Sequence, residues 1–253
     1  MQSKKAQFTG ALGETLSAKI DLPDTEPKAY ALFAHCFTCS KDLRAVGHVT
    51  NAMAKKGIAT LRFDFTGLGQ STGKFADTNF SSNVDDLVAA YEFMVQENTA
   101  PSILIGHSLG GAAVLQAAHR MDQVKAVATV GAPAEPEHVK HNFAMSLDEI
   151  EEKGEAQVTL AGRPFTIKKQ FIDDLEETRM KKYIRELGRA LAIFHSPIDN
   201  TVGVDNAGKI FVAAKHPKSF ISLDDADHLL SREEDSRYVG SVLAVWASRF
   251  IDD

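Results

Sequence analysis

The chain has 253 residues, 44% of them hydrophobic, which is ample for one sizeable core. A net charge of −6 without basic clusters argues against nucleic-acid binding and against binding to anionic membrane surfaces. No run approaches the roughly 20 apolar residues that span a bilayer, and the polar residues 1–17 lack the apolar region of a signal peptide. We therefore predict a cytoplasmic protein.

Strand and helix patterns alternate along the chain. Apolar strands are predicted at 28–35, 58–65, 101–107, 124–133, 189–195 and 218–223. Helical spacing of apolar residues predicts helices at 42–57, 82–97, 110–121, 206–215 and 237–250. Strands that are apolar on both faces and alternate with helices are typical of an α/β fold, with a mostly parallel, doubly wound sheet and helices on both faces.

Two local patterns refine these helices. Ser82 with Asp85 three residues later resembles a capping box near the start of the helix at 82–97. In the last helix the predicted buried stripe consists of Val239, Val242, Leu243, Trp246 and Phe250.

A charged segment at 134–188 interrupts the alternation, so we predict a core of residues 1–133 and 189–253 with an inserted lid of helices and a β-hairpin. The hairpin is predicted because Val158 and Leu160 would face the same side of one strand, and Phe165 and Ile167 the same side of the next, with a Gly-Arg-Pro turn between the two strands. An insertion at the carboxyl end of a strand in such a sheet lies where ligands bind. The alternative is a solvated surface insertion.

The strongest motif is "LIGHSLGG" at 104–111, in which Gly106, Ser108 and Gly110 fit G-x-S-x-G between an apolar strand and a helix. This is the context of a nucleophile elbow, where the residues two positions on either side of the serine must be small. The serine hydroxyl would then stand at a helix N-terminus, where developing negative charge is favoured. A chance Gly/Ser turn is the alternative.

A serine nucleophile needs a histidine base and an orienting acid, in the chain order Ser, acid, His for this motif. His228 follows the last predicted strand, and Asp199 follows the strand before it. We predict Ser108, Asp199 and His228 as the catalytic residues. Alternatives are a surface role for His228 and a helix-capping role for Asp199; three rival acids stand beside the histidine in sequence, Asp224, Asp225 and Asp227. His35 and His195, at strand ends, are expected to be structural hydrogen-bonding groups.

The segment "HCFTCSKD" at 35–42 lies where an oxyanion loop is expected, because it follows the strand that precedes 58–65. An acyl-transfer oxyanion needs two backbone N–H donors. We predict Leu109, which follows the nucleophile, and Phe37. The Cys-x-x-Cys pair, Cys36 and Cys39, is expected to supply small residues that shape this turn, with a regulatory redox pair as the minority hypothesis.

A glycine-rich stretch, "DFTGLGQSTG" at 64–73, follows the strand at 58–65. Its spacing departs from the dinucleotide fingerprint and no helix begins within it, so we interpret it as a turn near the active-site edge.

Longer motifs resemble known families. "DFTGLGQSTGKF" is similar to the turn after the fourth strand of small bacterial α/β-hydrolase esterases, including cinnamoyl and feruloyl esterases, which carry His-Gly-Phe where this chain has His35-Cys36-Phe37. "HCFTCSKD", "FDFTGLGQSTGKFADTNFSSNVDDL" and "AKHPKSFISLDDADHLL" resemble more closely the hydrolase half of bacterial fusions between an α/β-hydrolase and an osmotically-inducible-protein-C-like domain. The resemblance implies an α/β-hydrolase fold and the same three residues, Ser108, Asp199 and His228, as a catalytic triad.

We therefore predict a serine carboxylesterase that forms an acyl-enzyme and acts on short-to-medium acyl esters, with aryl esters implied by the resemblance. Four lid residues would line an acyl pocket or form the lid's own core: Phe143, Met145, Phe165 and Phe171. Fold does not dictate function, so a non-catalytic ligand-binding module stays open, as does a thioesterase, C–C hydrolase or peptidase with the same triad.

The expected partner is a small-molecule ester, with no nucleic acid and no membrane. No cofactor is expected, and no metal, because zinc would need four ligands and there is no second Cys pair. A homodimer stays open. So does an osmotically-inducible-protein-C-like partner domain, because the chain ends at Asp253 and the sequence is compatible with a stand-alone form and with a trimmed one.

Overall fold

The computed structural model describes residues 2–160 and 162–251. The strands in this part of the chain are β1 (Gln2–Thr9), β2 (Thr15–Leu22), β3 (Ala29–Ala34), β4 (Ile58–Phe63), β5 (Ile103–His107), β6 (Ala126–Val130), β7 (Glu155–Leu160), β8 (Arg163–Lys168), β9 (Ala190–His195) and β10 (Lys218–Ser222). The α-helices are α1 (Arg44–Ala54), α2 (Phe80–Gln96), α3 (Leu109–Ala117), α4 (Leu147–Lys153), α5 (Lys169–Glu177), α6 (Met180–Arg185), α7 (Asp205–Ala213) and α8 (Glu233–Ile251). Three 3₁₀ segments lie at Phe75–Asp77, Ala118–Arg120 and Pro136–Ser146.

Eight strands form the central sheet in the order β1-β2-β4-β3-β5-β6-β9-β10. From β4 to β10 every neighbouring pair is parallel, whereas β1 with β2 and β2 with β4 are antiparallel. The mostly parallel α/β sheet predicted from the alternation is therefore confirmed. The carboxyl ends of the parallel strands meet at one edge, which is where such sheets bind ligands.

Both faces of the sheet are covered, as predicted. Along β5, Leu104 packs into a cluster that includes α2 and α3, while Ile103 and Ile105 belong to a second cluster formed with α1 and α8. Successive side chains of a strand point to opposite faces, so these two clusters lie on the two sides of the sheet. No helix in the described residues is long and apolar enough to cross a bilayer.

The N-terminal hairpin of β1 and β2 was not predicted from the sequence. β1 is an edge strand with only Phe8 buried, so its sequence has no apolar run, and it carries Lys4 and Lys5 on its exposed surface. Lysines on an edge strand discourage pairing with another chain. The alternation of apolar and polar residues that predicts a strand arises because one face of the strand is buried. In β1 most of the side chains are exposed.

Two helix details differ from the predictions. The N-cap of α2 is Asn79, whose side chain accepts from the Ser82 N–H while the Ser82 hydroxyl accepts from the Asn79 N–H. Ser82 is therefore the third helical residue and not the cap. In α8 the side chains of Val242, Trp246 and Phe250 are only partly buried, and the fully buried positions include Val239, Leu243 and three small residues, Gly240, Ala244 and Ala247. Small residues turn inward because α8 runs close to α1.

The segment between β6 and β9 contains α4, α5, α6 and the β7–β8 hairpin, which forms a separate two-stranded sheet. The predicted hairpin is confirmed by the pairing of Val158 with Phe165. The predicted Gly-Arg-Pro turn is wrong, because Arg163 and Pro164 already pair within β8. The connection is shorter than predicted, and Ala161 within it lies outside the described residues.

Gly240 supports a stability prediction. A Cβ at this position would lie 2.4 Å from the Val49 carbonyl oxygen of α1, whereas a Cβ at Gly208 in α7 would meet nothing within 4 Å. We expect Gly240→Ala to lower the free energy of unfolding by about 1–3 kcal/mol through overpacking. Gly208→Ala should raise it by roughly 0.5–1 kcal/mol through helix propensity. Urea unfolding of both variants checks this, and equal effects would contradict the close α1–α8 contact.

Candidate active site

Ser108 lies in a sharp turn between β5 and α3, with φ 55° and ψ −125°. This left-handed conformation is rarely adopted by residues with a side chain. The positions two residues before and two residues after Ser108 must be glycine. A Cβ on Gly106 would lie 2.2 Å from the Gly110 carbonyl oxygen, and one on Gly110 would lie 2.5 Å from the His35 carbonyl oxygen. The strand–serine–helix context predicted from 104–111 is therefore present, and sterics explain its glycines.

Three predicted residues form one hydrogen-bonded chain. His228 Nε2 lies 3.0 Å from Ser108 Oγ, and His228 Nδ1 lies 2.7 Å from Asp199 Oδ2. A carboxylate only accepts hydrogen bonds, so Nδ1–H donates to Asp199 and Nε2 is left to accept the serine proton. The three groups come from the ends of β5, β9 and β10, brought together at one edge of the sheet.

The Asp199 carboxylate is held in a turn after β9. Its second oxygen accepts from the Thr201 and Val202 N–H groups, both at 2.9 Å. Burial alone would raise the pKa of Asp199, but the hydrogen bonds from His228 and the two backbone N–H groups outweigh it and lower the pKa. An ionised carboxylate at this position stabilises a positive charge on His228.

The rival acids do not bond to the His228 ring. Asp224 accepts from the Ser222 hydroxyl, and Asp227 accepts from the Ser231 N–H at 2.9 Å. The backbone oxygen of Asp225 accepts a hydrogen bond from the Arg232 guanidinium. All three carboxylates are on exposed residues, so Asp199 is the acid that the fold brings to the histidine.

Three buried histidines surround this chain as structural groups. His195 Nε2 donates to the Val202 oxygen at 2.8 Å, which supports the Asp199 turn, and His35 Nδ1 donates to the Cys36 oxygen at 2.8 Å. These two were expected to be hydrogen-bonding groups. His107 was missed: its Nε2 donates to the His228 oxygen at 2.7 Å. The only signal for it in the sequence is its place directly before Ser108.

Phe37 and Leu109, the predicted oxyanion donors, line one small cavity together with Gly110. Leu109 is the first residue of α3, so its N–H has no partner within the helix. In the described part of the chain the Phe37 N–H likewise has no hydrogen-bond acceptor. An unpaired backbone donor at a helix N-terminus and a second one in the loop beside it are suited to an anionic oxygen.

Cys36 and Cys39 lie in the turn that they were expected to shape, but they do more than supply two small residues. The structure joins them in a disulfide, with a Cα–Cα distance of 5.3 Å, which is within the ordinary range for such a bond. Two cysteines three residues apart at a tight turn can meet once the turn brings their side chains to the same side.

The described residues contain no group of three or more His, Cys, Asp or Glu side chains placed to hold a metal ion.

A buried ionic network anchors the same loop, and it was not predicted. Asp64, fully buried, accepts from both the N–H and the ammonium of Lys41 at 2.6 Å and from the Gln70 N–H at 2.9 Å. A Cβ on Gly69 would lie 2.2 Å from the Asp64 carboxylate. The glycine-rich stretch at 64–73 is therefore a turn wrapped around a carboxylate, and it binds the loop before α1 to the end of β4.

Aromatic side chains cover the loop from above. The Phe37 ring contacts Phe75, Phe143 and Phe171 at centroid distances of 5.7, 6.5 and 5.7 Å, and Phe165 contacts Phe75 at 5.0 Å. The predicted lid phenylalanines thus pack around Phe37 and Phe75, with Phe143 and Phe171 on Phe37 and with Phe165 and Phe171 on Phe75. Met145, predicted with them, is fully exposed and does not belong to this cluster.

Comparison with known proteins shows the family of this chain. The profile of the hydrolase family Hydrolase_4, described as serine aminopeptidase, S33, matches residues 25–160, more than half of the chain. The chain belongs to this hydrolase family. Its structure resembles the esterase domain of a protein from Rhodothermus marinus, at 50% identity over 99% of this chain and 100% of that one, with a TM-score of 0.81. No functionally curated protein matches the chain.

More distant structures share the fold alone. Est1E from Butyrivibrio proteoclasticus, solved with ferulic acid bound, has 20% identity over 98% of this chain and 100% of its own, with a TM-score of 0.80. Alpha/beta hydrolase domain-containing protein 10 from mouse has 20% identity over 97% and 99%, with a TM-score of 0.75. The predicted α/β-hydrolase fold is confirmed.

His107 generates a pH prediction. Burial, with a smaller effect from His228, lowers the pKa of His107 from 6.5 to about 3. Between these values the unfolded chain binds a proton that the folded protein does not. The free energy of unfolding should therefore fall as pH drops from 6.5 towards 3, by up to about 1.4 kcal/mol per pH unit from this group, with no effect above 6.5.

Urea unfolding of His107→Gln between pH 7 and pH 4 tests this, because glutamine keeps a donor for the His228 oxygen but does not titrate. We expect a shallower pH dependence than in the wild type. His119→Gln is the control, since that residue is exposed and should leave the slope unchanged. Identical slopes in the wild type and His107→Gln would contradict the assignment.

Proposed function

We propose that this protein is a serine esterase that cleaves carboxylic esters through an acyl-enzyme. The observation that carries the proposal is the hydrogen-bonded chain from Ser108 through His228 to Asp199, in which each group has the orientation that its role requires. The esterase domain from Rhodothermus marinus, at 50% identity over almost the whole chain, supports the same chemistry.

In this mechanism Ser108 Oγ attacks the ester carbonyl while His228 Nε2 takes its proton. Asp199 holds His228 in the correct tautomer and stabilises the resulting imidazolium. The Phe37 and Leu109 N–H groups stabilise the tetrahedral oxyanion. His228 then protonates the leaving alcohol, and a water molecule, activated by the same histidine, hydrolyses the acyl-enzyme.

Segment 134–188 is proposed as the lid and as the determinant of substrate. Phe143 and Phe171 contact Phe37, whose backbone is a proposed oxyanion donor, and Phe165 contacts Phe75, which also packs on Phe37. The partly exposed rings in this group are Phe37, Phe75 and Phe165. They favour short-to-medium and aryl acyl groups over long flexible chains, because flat rings stack against phenylalanine. Est1E, which holds ferulic acid, has the same fold.

A peptidase reading is the second candidate, because the family is described as serine aminopeptidase. The triad suits either reaction. An aminopeptidase additionally needs an acidic group to bind the free substrate amine, whereas the side chains around Phe37 are aromatic. We therefore prefer an esterase to a peptidase. We also prefer it to a non-catalytic binding module, because a binding module would not require the hydrogen-bonded chain of Ser108, His228 and Asp199.

Ser108→Ala provides the first test. Removal of the nucleophile should lower the rate by at least ~10⁴-fold, because triad members act as a unit. The measurement is hydrolysis of p-nitrophenyl esters of increasing acyl length, with an aminoacyl p-nitroanilide as the peptidase probe. Ser248→Ala, on the exposed side of α8, is the matched control and should match the wild type. Residual activity close to wild type in Ser108→Ala would overturn the proposal.

Asp199→Asn tests the acid. An amide in place of the carboxylate favours the wrong histidine tautomer and should lower kcat by roughly 10⁴-fold while the protein stays folded. The control is Asp224→Asn, which removes an exposed rival carboxylate and should retain wild-type kcat. If Asp224→Asn were the impaired variant and Asp199→Asn were active, the triad would have to be reassigned.

A further inference from the structure

The Cys36–Cys39 disulfide closes the short loop that carries Phe37, between β3 and α1. Within it the Cys39 N–H donates to the Cys36 oxygen at 3.1 Å, and Thr38 has φ +57°. A β-branched residue rarely adopts this left-handed conformation. The loop therefore holds a backbone geometry that its own residues do not favour, and Phe37 lies inside it.

The loop is supported unequally on its two sides. Cys36 is 4% exposed and its oxygen accepts from buried His35. On the other side, Lys41 is anchored to Asp64. Between these anchors, the Arg163 guanidinium donates to the Thr38 oxygen and the Phe37 ring packs in the aromatic cluster. The disulfide adds a covalent bond across this part of the loop, which otherwise depends on the Arg163 hydrogen bond and on aromatic packing.

We propose that the Cys36–Cys39 disulfide positions the Phe37 N–H as an oxyanion donor, so that reducing this bond lowers the rate of the acyl-transfer step. This rests on the proposed esterase function. Two unbonded sulfur atoms cannot remain at bonding distance, so one half of the loop must move when the bond breaks. Cys36 and Thr38 are buried and Cys39 is partly exposed, so the movement begins at Cys39 and reaches the Phe37 backbone through the short segment that the bond had closed.

The chemistry is thiol–disulfide exchange with a dithiol reductant. A thiolate of the reductant attacks Cys39 Sγ, the more accessible sulfur, and Cys36 leaves as a thiolate that takes up a proton. The second thiol of the reductant then attacks its own sulfur in the mixed disulfide and releases Cys39. Two electrons and two protons pass to the protein, and the reductant ends as a disulfide. Exchange with oxidised glutathione reverses the reaction.

The size of the effect follows from what one donor contributes. Removing an oxyanion donor outright lowers kcat by about 10²–10³-fold. Reduction displaces the Phe37 donor while the Leu109 donor stays in place, so we expect kcat to fall by roughly 10- to 100-fold. KM should change little, because these donors act on the transition state and not on the bound ester. In a reducing cytoplasm the enzyme would then be held in its slower form.

The test compares one preparation in two redox states. Wild-type protein is treated with oxidised glutathione or with dithiothreitol, desalted so that the reductant itself does not cleave the ester, and alkylated for mass measurement. We expect no alkylated cysteines in the first sample and two in the second. With p-nitrophenyl butyrate, kcat should be lower in the reduced sample by at least 10-fold and recover after reoxidation.

Cys39→Ser supplies the matched variant, because it keeps the size of the residue but cannot form the bond. It should have the kcat of the reduced wild type in both treatments. Ser108→Ala with each treatment gives the background. A reduced wild type with two free thiols and a kcat within two-fold of the oxidised sample would overturn the proposal. So would two free thiols that persist after treatment with oxidised glutathione.

Hydrogen–deuterium exchange separates this inference from the proposed function. Amides in the peptide covering residues 35–43 should exchange faster in the reduced protein, while peptides from β5 stay unchanged. Equal exchange in both states overturns the positioning role whatever the activity. If the oxidised wild type has no hydrolysis that depends on Ser108, the esterase function fails, and the exchange experiment still decides whether the disulfide orders the loop.

Discussion

The close approach of β3, β5 and α3 around Ser108 is the constraint on which the rest of the site depends. Gly106 and Gly110 have no side chain where a Cβ would lie within 2.5 Å of a backbone carbonyl oxygen. This allows α3 to begin directly above the sheet, against the residue that ends β3. Leu109, which directly follows the nucleophile, and the loop that carries Phe37 thereby line one small cavity. The other features of the site orient these groups.

Buried charge holds that volume in place. Lys41 and Asp64 are almost completely buried, as is the nearby pair of Arg62 and Asp21. Burying ion pairs costs desolvation free energy and adds little net stability. Their value here is directional, because Asp64 accepts from three donors on two different chain segments and so holds the loop before α1 against the end of β4. His107 and Asp199 orient His228 in a similar way. Neutral His107 bonds to its backbone oxygen, and ionised Asp199 bonds to its ring.

The loop at 36–41 is where these influences meet. The ionic network with Asp64 holds Lys41 at the end of the loop, and the disulfide joins Cys36 to Cys39. The aromatic rings of segment 134–188 pack on Phe37 between the two cysteines. A change in any of them therefore reaches the proposed oxyanion donor directly. In the proposed mechanism these contacts link the cover formed by segment 134–188, the redox state of Cys36 and Cys39 and the stabilisation of the transition state through the Phe37 N–H group.

The sequence by itself determined the fold class, the serine turn, and Asp199 and His228 as the groups to meet it, because each depends on local signals. Apolar strands and helices alternate, glycines flank Ser108, and polar residues follow strand ends that a parallel sheet brings to one edge. The hairpin of segment 134–188 could also be predicted, since alternating parity in Val158 and Phe165 is a local pattern.

Only the tertiary structure decided the features that depend on neighbours distant in sequence. β1 has no burial pattern of its own, and α8 turns its small residues inward because α1 lies against them. Asp64 meets Lys41, and His107 meets the His228 oxygen, only after folding. The Cys36–Cys39 bond depends on how tightly the loop turns, which spacing alone does not fix. Pairwise contacts between remote segments leave no periodicity in the chain, so they can be located only once the sheet has brought those segments together.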